Sequence, residues 1–450
     1  FSPNDAERID AIIADGGTRV RRLGGEGAMA AGRIELFLGE DSRGDTIPRR
    51  LVARGAVEAR DERQTVWTED IVVAFREKAK EEREANAAAA AKPEREGAST
   101  RLVGETDLGA IDIDTVEAKG GVQVLLKEGA RVFAEALVGD AARRRLRLTG
   151  ENVAIVRSNV IADNLRDIRF DDATRSARSD GPGRFRAFRQ PLAVGEGRAE
   201  RPNPDARPTL EAAWGESLEY AEVAEDRGTL DIRGEVKVRS RPSETTSDAV
   251  DAQSILLELG IDPAARGSNK KKGVDGEGAA GGRADPSEAA RSFEHFIAKG
   301  GARLESRTWA TAERTGEPRV FRVSGEHVEY DIRTREGLVV GDGAILVNIP
   351  RAEDGKAVDP AAGARAPGGI ALGADGTTRF RWKERMALER QYDDVFRIRM
   401  EKDVEMLHAG LRADDSLSMR CDTLEAMVKR PDESKKAAEG GARTESDGGV

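Results

Sequence analysis

An all-β protein built from repeated antiparallel units is what this sequence predicts, and three observations predict it. The first is a ten-residue stretch, Leu146–Ile155 (LRLTGENVAI), that returns 175 positions later as Phe321–Tyr330 (FRVSGEHVEY). The second is alternation. Before the Gly of each copy, apolar residues alternate with polar ones (Leu146 and Leu148; Phe321 and Val323). After it they alternate again, one place out of step (Val153 and Ile155; Val328 and Tyr330). Period two marks a strand with one buried face, and a one-residue slip at Gly reads as a β-bulge. The third is composition: 38% hydrophobic, 35% charged and only 4% aromatic residues over 450 positions. Such a chain can bury several narrow cores but not one large one.

Taken in order, residues 1–75 form a first β unit. Its pieces (DAIIADGG, AMAAGRIELFL, TIPRRLVARGAVEA, TVWTEDIVVAF) are short, β-branched and separated by turn residues. Residues 76–100 are Ala-rich and charged without apolar periodicity, and read as a linker or insertion. Residues 101–259 are a second β domain, interrupted by a Pro-containing polar loop at 195–208. Residues 260–290 are rich in Gly, Lys and Asp and read as a flexible loop. Residues 291–428 are a third β domain with a Gly/Ala/Pro loop at 351–376, and 429–450 read as a disordered tail. Within the second domain, Leu230–Val238 (LDIRGEVKV) is a variant without the slip, placing Leu230, Ile232, Val236 and Val238 on one face.

Two short words recur. The first is apolar-x-Ala-x-Gly: Ile12-Ile13-Ala14-Asp15-Gly16, Leu51-Val52-Ala53-Arg54-Gly55, Val116-Glu117-Ala118-Lys119-Gly120 and Phe296-Ile297-Ala298-Lys299-Gly300. The second is a small residue, two polar residues and Leu or Ile: Thr68–Ile71, Ala162–Leu165, Ala252–Ile255 and Cys421–Leu424. Each unit is a hairpin or a rung that cannot bury its face alone, so neighbours must stack.

Several function classes are excluded or disfavoured. A net charge of −10 lacks the basic excess that phosphate contacts require, so no nucleic-acid partner is expected. One cysteine, Cys421, rules out an internal disulfide framework and a thiolate zinc site. No run of about 18 apolar residues exists. His295, His327 and His408 lie in different segments without ligand spacing, so no metal site or triad is expected. Neither a Gly-x-Ser-x-Gly elbow nor a phosphate loop occurs, and Gly276–Gly281 sits in a charged stretch with no strand before it. Asp112 and Asp114 alternate with Ile111 and Ile113 and read as the wet face of a strand. No catalytic residue and no cofactor is assigned, and the chain is read as non-enzymatic.

The two words together resemble the OstA-like family, periplasmic lipopolysaccharide-transport proteins of the LptA and LptC type. The likeness lies at Ala53–Val57 with Thr68–Ile71, at Gly150–Val153 with Ala162–Leu165, and at Gly325–Val328. It implies an elongated stack of antiparallel OstA-like β-jellyroll (β-taco) units, end to end, whose apolar interior groove holds acyl chains. It also implies a periplasmic location, with any membrane tether in a segment outside this chain. The implied partners are lipopolysaccharide or another amphiphilic lipid, and other β-jellyroll transport components joined by end-to-end strand pairing. The inward parity of the best strands supplies the lipid-binding candidates: Val122, Val124, Leu146, Leu148, Val153, Ile155, Leu230, Ile232, Val236, Val238, Val323, Val328 and Tyr330. Arg147, Arg157, Arg233, Lys237 and Arg322 are cations that can meet lipid phosphates at the rim, or simply line the solvent face of a sheet. The alternative function is a structural or surface β-repeat protein with a closed core and no ligand. A third class, a carbohydrate-active β-repeat enzyme, would need a row of exposed aromatics drawn from Trp67, Trp214, Trp309 and Trp382.

Overall fold

The structure, a computed structural model, describes residues 10–21, 27–42, 44–77, 111–127, 129–192, 197–202, 206–224, 227–261, 291–350, 376–392, 395–410 and 416–429. These residues form 22 strands with antiparallel pairings and no helix. The predicted linker (76–100), loops (260–290, 351–376) and tail (429–450) lie outside the described residues except at their edges. There Arg76–Glu77, Gly260–Ile261, Gly376 and Lys429 belong to flanking strands. The Pro-containing loop 195–208 has no strand among its described residues. The chain divides into two compact units, residues 1–208 with 215–222 and residues 209–214 with 223–450.

Unit 1 is a meander of eight long strands, each paired with the next: β1 (Ala11–Arg21), β2 (Ala28–Glu40), β3 (Thr46–Arg60), β4 (Gln64–Glu77), β5 (Ile111–Leu126), β6 (Arg131–Asp140), β7 (Arg145–Arg157) and β8 (Val160–Asp171). Strands β4 and β5, on either side of the predicted linker, are direct partners. The far edge of β8 is shared. Asp167–Asp171 pair with β9 (Ser176–Asp180), and Val160–Asp163 pair with β10 (Gly183–Ala187). β12 (Ser217–Ala224) adds to β9.

Unit 2 repeats this connection. β11 (Leu210–Trp214) pairs with β13 (Arg227–Ser243), and β13, β14 (Thr246–Ile261), β15 (Arg291–Thr308) and β16 (Arg319–Asp331) form a meander. The far edge of β16 is again shared, by β17 (Glu336–Val340) and β18 (Gly343–Ile349). β20 (Arg385–Tyr392) follows β17 and β19 (Gly376–Trp382) follows β18; both pair with β21 (Val395–Ala409), which pairs with β22 (Ser416–Lys429).

The same turn opens both shared edges, 160 positions apart. Asp171 Oδ1 accepts from the Thr174 amide at 3.2 Å, and Asp331 Oδ1 from the Thr334 amide at 2.7 Å. The next residue is an Arg in the left-handed region, Arg175 (φ 48°) or Arg335 (φ 64°). An Asp that accepts an amide three residues on closes a tight turn locally. By its neighbours, β16 therefore corresponds to β8, not to β7. The ten-residue likeness of Leu146–Ile155 to Phe321–Tyr330 is real as a pattern, yet β7 lies between two long strands and β16 does not. Alternation identifies a half-buried strand but not its place in the sheet.

The first word is a two-residue bulge. Six strands carry consecutive residues at positive φ: Gly16–Gly17, Gly55–Ala56, Gly120–Gly121, Gly234–Glu235, Gly300–Gly301 and Lys402–Asp403. At each, the register shifts against the neighbour. Three of the four copies of the second word lie directly opposite such a bulge: Ala53 pairs with Ile71 and Val57 with Thr68, whereas Ala162–Leu165 faces Val153–Ile155. Ala298 likewise pairs with Ile255, and Met400 with Leu424. One strand thus takes four residues where its partner takes three, which bends both. Thr68, fully buried, donates its hydroxyl to the Lys119 carbonyl at 2.7 Å and so satisfies a group at the bulge. Two sequence readings change here. Leu230–Val238 does contain a slip: its four apolar residues share a face because the bulge at Gly234 spans a whole period. At Gly325 the extra residue sits in β15, and β16 is the short side.

Gly300 shows why the word ends in glycine. A Cβ there would stand 2.5 Å from the Cβ of Gln253, at the second place of the facing word, whereas one on Gly301 would meet nothing within 4 Å. Both residues have positive φ, which costs an L-residue roughly 1–2 kcal/mol. Gly301→Ala is expected to cost only about that much, and Gly300→Ala about 2–4 kcal/mol, because Gln253 Cβ cannot move without its backbone. Urea unfolding of the two variants checks the order.

Candidate functional site

In unit 2 the pairing registers arrange the apolar face as cross-strand rungs. One rung follows the bulges through Ile232, Ile255, Ala298, Val328, Val339, Met386 and Met400. Its residues are all buried, at 0–8% exposure. A second joins Val238, Val250, Leu304, Val323, Ile345, Phe380 and Met406, and a third Leu230, Leu257, Phe296 and Tyr330. On these two flanking rungs Val238, Val250, Leu304, Met406, Leu230, Leu257, Phe296 and Tyr330 are only half-buried. Val236, beside Ala252, is fully buried near the bulge. The seven candidates of this unit therefore do lie on one face. That face is filled along its bulges and partly open on either side.

In unit 1 the candidates again share a face. Leu148 is level with Leu137 and Ile168, Val122 with Ala134, and Val124 with Val132 and Ile155. Leu146, Leu148, Val122, Val124 and Val153 are buried, at 0–6% exposure. Ile155 is half-buried, while its neighbours Ala154 and Val156, pointing to the opposite face, are fully buried. That opposite face is covered by the chain after β10. Phe188 and Leu192 pack on Phe133, Ala154, Val156 and Ile161. Arg131 donates to the Gly197 carbonyl (2.7 Å), Gln123 accepts from the Ala199 amide (3.1 Å), and Arg201 stacks over Phe133. Burial lowers the pKa of both Arg131 and Arg201. Beside them the buried Asp163 accepts from Arg184 and Arg186. Strict alternation misses this second core, but the unbroken apolar run Val153–Val156 signals a strand buried on both faces.

The rim cations are mostly spent on carboxylates. Arg147 makes two bonds to Asp167 (2.9 and 2.8 Å), Arg233 binds Asp231, and Arg322 binds Glu305. Hydrogen bonds from Arg147 lead the causes that hold the Asp167 carboxyl below its usual range. Arg157 and Lys237 are exposed. Of the four tryptophans, Trp67, Trp214 and Trp382 are core residues (2–8% exposed), and half-buried Trp309 lies under Arg314 at 4.7 Å. They form no exposed aromatic row.

Two histidines that the sequence reading kept apart share one carboxylate. His295 Nε2 lies 2.9 Å from Glu329 Oε1, and His327 Nε2 lies 3.3 Å from Glu329 Oε2. Only the strand register places them together, so no spacing motif could announce it.

No protein-family model matches the chain, and no curated protein sequence matches it. No helix among the described residues is long and apolar enough to cross a membrane.

Proposed function

We propose that this protein is a non-enzymatic carrier or bridge for an amphiphilic lipid, lipopolysaccharide by the resemblance of its two words to the OstA-like family, acting in the periplasm. Its bent sheets are read as half-open β-jellyroll units of that kind. The observation that carries this reading is the exposure gradient in unit 2: an apolar face without charged side chains on its rungs, filled at the bulges and half-open at the flanking rungs. An acyl chain laid along the flanking rungs takes the place of water. Each CH₂ contributes about 0.8 kcal/mol, so a dozen carbons contribute roughly 10 kcal/mol. Transfer between two equally apolar faces is then near neutral, as a relay requires, and no catalytic group is needed. One observation favours the closed-core structural protein instead: nine of the 13 candidates are buried by the protein itself. Native mass spectrometry of the protein purified from a Gram-negative host separates the two. The carrier reading expects a bound-lipid mass that detergent strips; a bare mass before and after would favour the structural reading.

A further inference from the structure

We propose that β22 of one copy pairs antiparallel with β1 of a second copy, so that this chain assembles head to tail with itself. Among the described residues each of these strands has a partner on one side only, β2 for β1 and β21 for β22. Such an edge offers a row of unpaired backbone groups to a strand that fits it. The bulges say which strand fits. β4, with the second word, lies between the bulges of β3 and β5, and β14 between those of β13 and β15. β22 carries the same word, Cys421–Leu424, against the bulge of β21, and has no second neighbour among the described residues. β1 carries the first word and a second Gly, as β5 and β15 do: Ile12–Gly17 matches Val116–Gly121 and Phe296–Gly301. β22 therefore stands to β1 as β4 stands to β5 and as β14 stands to β15.

Both interior pairs have the same register, and it transfers residue by residue. Ala118 faces Ile71 and Ala298 faces Ile255, which sets Ala14 opposite Leu424. Val124 faces Val66 and Leu304 faces Val250, which sets Val20 opposite Met419. Val116 faces Val73 and Phe296 faces Leu257, which sets Ile12 opposite Ala426. Ala118, Ala298, Ile71 and Ile255 are buried, whereas Ala14 and Leu424 are half-buried and Ile12 and Val20 are exposed. Pairing would cover these apolar residues with one another. Gly16 carries the same mark. A Cβ on Gly120 would stand 2.6 Å from Glu69 Cβ, and one on Gly300 2.5 Å from Gln253 Cβ, each at the second place of the facing word. One on Gly16 meets nothing within 4 Å, and Asp422 holds the second place of the word on β22. The one pairing of like charge sets Arg19 opposite Arg420, which is already bound to Glu405 at 2.8 Å. Two copies of β1 side by side would set bulge against bulge, and two of β22 word against word. Neither occurs between neighbouring strands among the described residues.

A head-to-tail contact leaves one matching edge free at each end, so growth continues past two copies. Sedimentation velocity of the full chain up to about 100 µM should show species growing from one copy to more than two. Gly16→Ala and Gly17→Ala carry the same positive-φ cost within β1, but only the first sets a Cβ against Asp422 of the next copy. Gly16→Ala is expected to weaken association about tenfold or more, and Gly17→Ala far less. Cysteine pairing reads the register without either variant. In a Cys421→Ser background, Val20→Cys and Met419→Cys chains should cross-link when mixed, and neither should cross-link alone. A parent that stays a single copy at every concentration, two glycine variants equal in effect, or a cysteine variant that cross-links with itself would each overturn the pairing. No lipid enters these readouts, so they succeed or fail apart from the carrier reading.

Discussion

Val153→Asp is expected to abolish cooperative folding of unit 1, while Ile155→Asp, two residues along the same strand, is expected to leave it folded. Val153 is fully buried and level with Leu165 next to the register shift of β7. A carboxylate there has no route to water and costs several kcal/mol, a large part of the 5–15 kcal/mol that holds a typical domain. Ile155 is half-buried, level with Val132 and Ala162, so a carboxylate in its place can reach solvent at the open side of the face. Differential scanning calorimetry of both variants beside the parent reads this directly. Val153→Asp should lose a transition, and Ile155→Asp should shift it by a few degrees. Equal losses would mean that the face is closed throughout.

Glu305→Gln is expected to be the most damaging single change on the outer face. The Glu305 side chain, 8% exposed, receives Arg303, Arg307 and Arg322. Burial alone would raise its carboxyl, but hydrogen bonds from the three guanidinium groups outweigh it and hold the pKa at about 2, against an ordinary 4.5. A folded-state value below the unfolded one stabilises the fold above about pH 4.5, and that stability is lost as pH falls from there through about 2. The full displacement corresponds to at most about 3 kcal/mol, and to less here because the arginines are 32–48% exposed and screened. Removing the charge also leaves three cations facing one another. Glu305→Gln should cost about 1–3 kcal/mol at neutral pH, and parent and variant should converge in stability towards pH 2. Urea unfolding across pH 2–7 tests this; a constant difference down to pH 2 would show that the carboxylate charge is not the cause.

Much of the fold is legible in the sequence because a half-buried strand must alternate. Both recurring words are readable for the same reason. That they face one another is not, since it depends on pairing between residues such as Ala53 and Ile71, set by intervening hairpins rather than by either word. The Asp171 and Asp331 turns are local and could have located the shared edges, but the stronger likeness of Leu146–Ile155 to Phe321–Tyr330 drew the comparison to β7. Ile232 and Val236 share a face because side-chain parity along β13 survives the two-residue bulge between them. The depth of the candidate face is not legible: Ile155 and Val153 have the same character in the sequence and different exposure in the fold. The packing of Phe188 and Leu192 against β6–β8, and the sharing of Glu329 by His295 and His327, arise from tertiary placement that no period encodes.

The carrier reading stands or falls on whether the half-open face accepts an acyl chain. The most direct measurement is a titration of the detergent-free protein with a fluorescent fatty acid, beside Ile155→Asp and Tyr330→Asp, all confirmed folded. Saturable binding to the parent, competed by lipopolysaccharide, and weaker binding in both variants are expected. A folded parent that binds no probe, or variants that bind it as the parent does, would contradict it.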